Sequence, residues 1–151
     1  MKKEVIYYCS FSMAPPESVE LLDNNKGAII NDSGEKIIEL PEHKILTFWD
    51  KMDELQVWKW KREYNPKYEI LDGHQWELKL RNRNGRTRNF DGHESYPDNY
   101  NEFIKELNNL FGSEIKDEKF ELWKKKLLNL KQFGMVVDIT LDFLMIKLVL
   151  Y

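Results

Sequence analysis

Residues 72–111 read DGHQWELKLRNRNGRTRNFDGHESYPDNYNEFIKELNNLF, and their hydrophobic periodicity decides the fold. Trp76, Leu78 and Leu80 alternate with Gln75, Glu77, Lys79 and Arg81. A period of two puts one apolar face on a core and one charged face in water, which predicts a strand. Asn84-Gly85 predicts the turn, because both residues tolerate the positive φ of a tight type I′ turn. A return strand follows over roughly residues 86–91. A two-residue turn pairs Leu80 with Asn89, whereas a three-residue loop with a bulge pairs Leu80 with Phe90. The second places two apolar side chains on one face and is the expected register. Pro97 suits a first helical position, Asp98 favours the positive end of the helix dipole, and Gly112 suits a left-handed stop. Between them Tyr100, Phe103, Ile104, Leu107 and Leu110 form one apolar stripe at helical spacing.

The segments on either side extend this pattern. Residues 4–11 carry apolar side chains in both alternating sets, which predicts a central strand. Residues 17–22 form a further strand, and Asp23-Asn24-Asn25 a turn. Ala28-Ile29-Ile30 and Lys36-Ile37-Ile38 flank Asn31-Asp32-Ser33-Gly34, the pattern of a second hairpin. Pro41 opens a helix whose stripe is Ile45, Phe48, Trp49, Met52 and Leu55. Residues 57–64, VWKWKREY, fit a strand that pairs the faces of Trp58 and Trp60, or a helix that pairs Trp60 and Tyr64. Phe120, Trp123, Leu127 and Leu130 predict a third helix near 117–132. In the apolar run from Met135, Val137, Ile139, Leu141 and Phe143 alternate with Asp138, Thr140 and Asp142, so a strand is expected there. The aspartates argue against a membrane span, which needs about 20 mostly apolar residues. The expected fold is a single α+β domain over residues 1–151, a mostly antiparallel sheet with about three helices packed on it.

A domain of this length buries roughly 68–70% of the surface its unfolded chain exposes, enough for a real core. With 42% hydrophobic and 32% charged residues, the composition is that of a soluble globular protein. A net charge of −3 argues against a surface that binds nucleic acid as a whole, though not against a local basic patch. The lone cysteine, Cys9, falls in the expected central strand and suits a reducing cytoplasm. The start, MKKEVIYYCSFS, has too short an apolar run for a convincing signal peptide.

The run from Trp60 to Leu110, about a third of the chain, resembles a signature of small bacterial domains. That signature is W-x-x-x-Y, L-D-G-x-x-W-x-L, a variable hairpin, then G-x-x-x-Y-P and a helix. Trp60, Tyr64, Leu71, Asp72, Gly73, Trp76, Leu78, Gly92, Tyr96 and Pro97 match it. Glu94 stands where an asparagine is usual. The resemblance implies an α+β domain and carries no activity.

Three features bear on function. Arg81, Arg83, Arg86 and Arg88 crowd the hairpin tip, and guanidinium forks grip carboxylate or phosphate. Trp58 and Trp60 add aromatic character beside Lys59, Lys61 and Arg62, as in single-strand binding surfaces, although two tryptophans near an amphipathic helix are more often core. An arginine-rich strand edge also discourages aggregation with no partner at all. Asp-Gly-His occurs at 72–74 and again at 91–93, so His74 and His93 flank the hairpin base with Glu94 as a third metal-ligand candidate. The simpler reading is that Asp-Gly is common turn chemistry and both histidines are surface residues. No HExxH, CxxC, GxSxG, Walker loop or GxGxxG is present, and no metal or other cofactor is expected. The expected function is that of a small, non-catalytic cytoplasmic interaction protein, in the manner of a bacterial or phage-encoded regulator or inhibitor. It would hold a protein partner through the arginine hairpin with Trp58 and Trp60, through the apolar residues 135–151, or through both. The same C-terminal run could support an oligomer. The rivals are a nucleic-acid binder using Arg81–Arg88 and a metal-dependent hydrolase built on His74 and His93.

Overall fold

The computed structural model describes residues 3–12, 15–67, 73–116, 136–139 and 146–149. The chain divides into two compact units, Met1–Lys116 and Asp117–Tyr151. In the first, strands β1 (Val5–Phe11), β2 (Glu17–Leu22), β3 (Lys26–Asn31) and β4 (Gly34–Glu39) precede helix α1 (Glu42–Glu54). A 3₁₀ turn at Val57–Lys59 and the two-residue strand β5 (Glu63–Tyr64) lead to β6 (Gln75–Arg81), β7 (Thr87–His93) and helix α2 (Tyr100–Phe111). The second unit contains β8 (Val136–Ile139) paired antiparallel with β9 (Ile146–Val149). The apolar C-terminal run, expected to hold one strand, thus holds two. The third helix expected near 117–132 lies outside the described residues.

The α+β class is observed, with a seven-stranded sheet in the order β4-β3-β2-β1-β6-β7-β5 and two described helices. Every neighbouring pair is antiparallel except β5 and β7. β1 is interior, as its two apolar faces predict. Its alternation nevertheless has a sense. Ile6, Tyr8 and Ser10 are buried beneath the helices, while Val5, Tyr7 and Cys9 are half-buried on the opposite face. Cys9 therefore lies in a central strand without being fully buried.

Both helices supply the stripes their spacing predicts. Ile45, Phe48, Trp49 and Met52 of α1 are buried, and Leu55 is partly so. Tyr100, Phe103, Ile104, Leu107, Leu110 and Phe111 of α2 are buried. They meet Ile6, Tyr8, Val19, Trp76, Leu78, Leu80 and Phe90 in one core. Burying each of these large side chains contributes about 1.5–3 kcal/mol. Helix α2 begins at Tyr100 instead of Pro97, because residues 97–99 form a turn whose Pro97 carbonyl accepts from Tyr100 N–H at 3.2 Å. Gly112, with φ +64°, ends it as expected.

The hairpin register differs from both expected alternatives. Leu80 pairs with Arg88, and Phe90 pairs with Leu78. The cause is Asn82, whose Oδ1 accepts the N–H groups of Asn84 at 3.0 Å and Arg86 at 2.9 Å. Its own N–H donates to the Arg86 carbonyl, so Asn82 and Arg86 close a three-residue loop. Phe90 keeps the face shared with Leu78 and Leu80, because a slip of two residues preserves strand parity.

Candidate functional site

The hairpin β6–β7 carries the sequence-derived candidates at its two ends, and the structure uses each end differently. At the tip the four arginines diverge. Arg81 Nε donates to Thr87 Oγ1 at 3.0 Å, and its Nη1 approaches the Lys3 carbonyl at 3.4 Å. Arg83 bonds Glu4 at 3.1 Å and Glu42 at 2.8 Å. The Glu42 hydrogen bond, with Glu4 nearby, raises the Arg83 pKa above its ordinary value. Arg86 lies over the Trp58 ring, 5.0 Å from its centroid. Arg88 donates to the Trp60 carbonyl at 2.8 Å and lies 5.5 Å from the centre of the Phe90 ring. Each guanidinium thus has an internal contact, and together they fasten the tip to Lys3 and Glu4 just ahead of β1, to α1 and to the 3₁₀ turn with the residue after it. The Glu4 carboxylate joins this fastening by accepting from Trp49 Nε1 at 2.8 Å.

Trp58 and Trp60 do not form an aromatic surface. They are 5% and 7% exposed and belong to the core. Trp58 Nε1 donates to Asp53 at 2.8 Å, and Trp60 Nε1 donates to Asn99 at 2.9 Å. Trp60 meets Trp76, Phe90 and Phe103 edge to face. Neither a helix nor a continuous strand explains the segment. The left-handed Gln56 (φ 55°) starts the short 3₁₀ turn that turns both indoles inward.

At the hairpin base the motif residues form one aromatic cluster. Trp76 contacts Trp60, Tyr64, Tyr96 and Tyr100. Trp76 Nε1 donates to the Ser95 carbonyl at 3.0 Å across Gly92. A Cβ on Gly92 would stand 2.1 Å from Trp76 Nε1, so only glycine admits the indole. Gly73 serves the Glu94 side chain in the same way, since a Cβ there would stand 2.5 Å from Glu94 Cγ. Glu94 takes the left-handed conformation at φ 49°, which an asparagine adopts more readily. Its carboxylate accepts the His74 backbone N–H at 2.6 Å. The matched residues from Trp60 to Pro97 described here thus share a packing role.

The proposed metal candidates are not assembled. His74 is 6% exposed, stacks on Tyr96, and shares a 2.8 Å hydrogen bond between Nδ1 and the tyrosine hydroxyl. His93 instead pairs with the exposed Gln75, on the face opposite Trp76. Glu94 spends an oxygen on backbone and not on a shared centre. Both Nε2 atoms, of His74 and of His93, are buried without a hydrogen-bond partner among the described residues. Among the described residues, no three His, Cys, Asp or Glu side chains are grouped to hold a metal. Burial pulls the His74 pKa down to about 4, against the opposing influence of Glu94, so its imidazole is neutral at pH 7.

A third region was not singled out as a site by sequence. β4 is an outer strand of the sheet, and Ile37 on it is 51% exposed. Ile30 on β3 is 42% exposed and lies diagonally across from it, since Ala28 pairs with Ile37 and Ile30 with Glu35. The isoleucines were legible as strand residues. That their face lacks a helix among the described residues was not legible, because it depends on where α1 and α2 pack. A groove of about 310 Å³ runs beside Phe48, Thr47, Glu106 and Leu110, and one of about 220 Å³ beside Val19, Ile29 and Ile115. Neither contains the arginines or histidines above. Among the described residues no helix is long and apolar enough to cross a membrane. Comparison with protein-family models, with curated proteins and with solved structures finds no match to this chain.

Proposed function

We propose that the protein is a non-catalytic interaction module that holds a protein partner on the β3–β4 end of its sheet. The observation that supports this is the exposure of Ile37 on the outer strand β4 and of Ile30 diagonally across from it on β3. Apolar side chains grouped at an open edge favour association with another chain. The internal contacts of Arg81, Arg83, Arg86 and Arg88 move the preferred surface away from the hairpin tip. The same contacts lower the standing of nucleic acid as the ligand, because each phosphate bond would compete with an existing one. The separation of His74 from His93 does likewise for metal-dependent hydrolysis. The role that suits such a module is regulator or inhibitor of the protein it holds. A reducing cytoplasmic setting belongs to the same reading and rests on the lone thiol of Cys9.

The test is co-purification, with and without nuclease, of wild type against two double variants. One carries Ile30→Lys with Ile37→Lys, the other Arg86→Glu with Arg88→Glu. A nuclease-resistant protein partner that is lost only from the isoleucine variant is the expected result. Loss only from the arginine variant would return the surface to the hairpin tip. Capture of nucleic acid alone, weakening steeply with salt, would replace the reading with the phosphate-binding one.

A further inference from the structure

We propose that β4 takes up an extended, basic-and-apolar segment of the partner as an added strand. This rests on the docking reading above and specifies the chemistry of what docks. Beyond β4 no further strand follows in the sheet among the described residues, so the outer backbone groups of Gly34–Glu39 face no ladder partner. Such an edge binds an extended chain through main-chain hydrogen bonds, and alternate side chains set the specificity.

The alternation on β4 defines the complement. Glu35, Ile37 and Glu39 share the face without a described helix, while Ile38, on the other, packs against the core. An added strand therefore runs past carboxylate, isoleucine and carboxylate in turn. Its matching face is basic, apolar and basic at every second residue, because opposite charges and apolar pairs stabilise directly facing positions. The strands behind β4 keep the same sign. On this face β2, β3 and β4 carry the carboxylates of Glu20, Glu35 and Glu39 against the single lysine Lys26, which bonds Glu39 at 3.3 Å. Ala28 and Ile30 supply the apolar floor beside Ile37.

A second copy of the chain fits this edge poorly. Antiparallel pairing centred on Ile37 sets Glu35 against Glu39 on both sides, and pairing centred on Lys36 sets that lysine against itself. Like charges in facing positions oppose both registers.

The test titrates the full chain with two capped synthetic peptides, Thr-Lys-Thr-Val-Thr-Lys-Thr and its counterpart with glutamate for both lysines, and reads backbone amide shifts. The lysine peptide is expected to shift the amides of Glu35–Glu39 and to bind about tenfold more tightly, since two facing charge pairs change sign. Glu35→Lys with Glu39→Lys, both on the surface, should invert the preference. Equal binding of the two peptides, shifts elsewhere, or no β4 shift with the lysine peptide at millimolar concentration would overturn the proposal. So would β4 shifts that follow protein concentration without peptide, which would identify a second copy as the occupant. The isoleucine double variant separates the two levels. If it loses the partner while the peptides show no preference, only the chemistry assigned to the segment falls. If it keeps the partner, the docking surface itself falls.

Discussion

The two ends of the β6–β7 hairpin look alike in sequence and differ in the folded chain. Each is dense in polar residues that elsewhere form binding sites. At the tip, Arg83 reaches Glu4 and Glu42 through water-accessible space, so its bonds compete with solvent. At the base, His74, Trp76 and Glu94 make comparable bonds where water is largely excluded. A polar contact therefore stabilises little at one end, and breaking one costs much at the other.

The sharpest way to break the comparison is Gly92→Ala. The new methyl collides with the Trp76 indole and, at 2.8 Å, with the Ser95 carbonyl. Chemical denaturation should show a loss of about 3 kcal/mol or more, as overpacking against a fixed ring and backbone leaves little room to relax. A loss below about 1 kcal/mol would mean that the base is not tightly packed.

His74 sharpens the contrast through pH. Its folded pKa of about 4 lies below the ordinary value near 6.5. Above pH 6.5 both states hold a neutral imidazole, and the group contributes no pH dependence. As pH falls from about 6.5 to 4, the unfolded chain binds a proton that the folded chain refuses, so stability declines across that window. Below 4 both states are protonated and the decline from this group ends. The total is about 3 kcal/mol. His74→Phe should flatten this part of the profile relative to wild type, whatever its effect at pH 7. An unchanged slope between pH 6.5 and 4 would show that His74 accepts its proton without penalty.

The smallest effect belongs to the tip. Arg83→Ala should cost no more than about 1 kcal/mol in dilute buffer. In about 1 M salt the difference from wild type should nearly vanish, since exposed ion pairs are screened over a few ångströms. A larger, salt-insensitive loss would make the tip resemble the base.

The same contrast explains what could be read from the sequence. Elements came from periodicity, which is local. The stripes of α1 and α2 and the strands around Asn31–Gly34 needed no knowledge of neighbours. Where long-range partners decide, legibility ended. Asn82 captured the turn with its own side chain and shifted the register of Leu80. For Trp58 and Trp60 the sequence left a core role and a binding role open, and the acceptors that hold their indole N–H groups inside the fold, Asp53 and Asn99, are partners no periodicity reveals. The motif glycines had a cause no spacing reveals, namely the side chains of Trp76 and Glu94 laid across them. The candidate edge at Ile37 depended on which face the helices cover, a property of the assembled sheet.

The order of strands also bears on the route by which this sheet assembles. β1 through β4 pair in chain order, and β6 with β7 closes on its own loop. The join between them pairs Val5 with Arg81 and Phe11 with Gln75, so the sheet's central seam unites chain segments that lie far apart in sequence. Closing such a loop costs entropy before any contact repays it, and pairings of this kind slow folding. On these grounds the two halves are expected to form first and the β1–β6 seam to close last, an order that mutational analysis of the folding rate would check. Until it closes, β1 and β6 are both unprotected edges, and the interval in which they wait is when the chain is most exposed to pairing with the wrong strand.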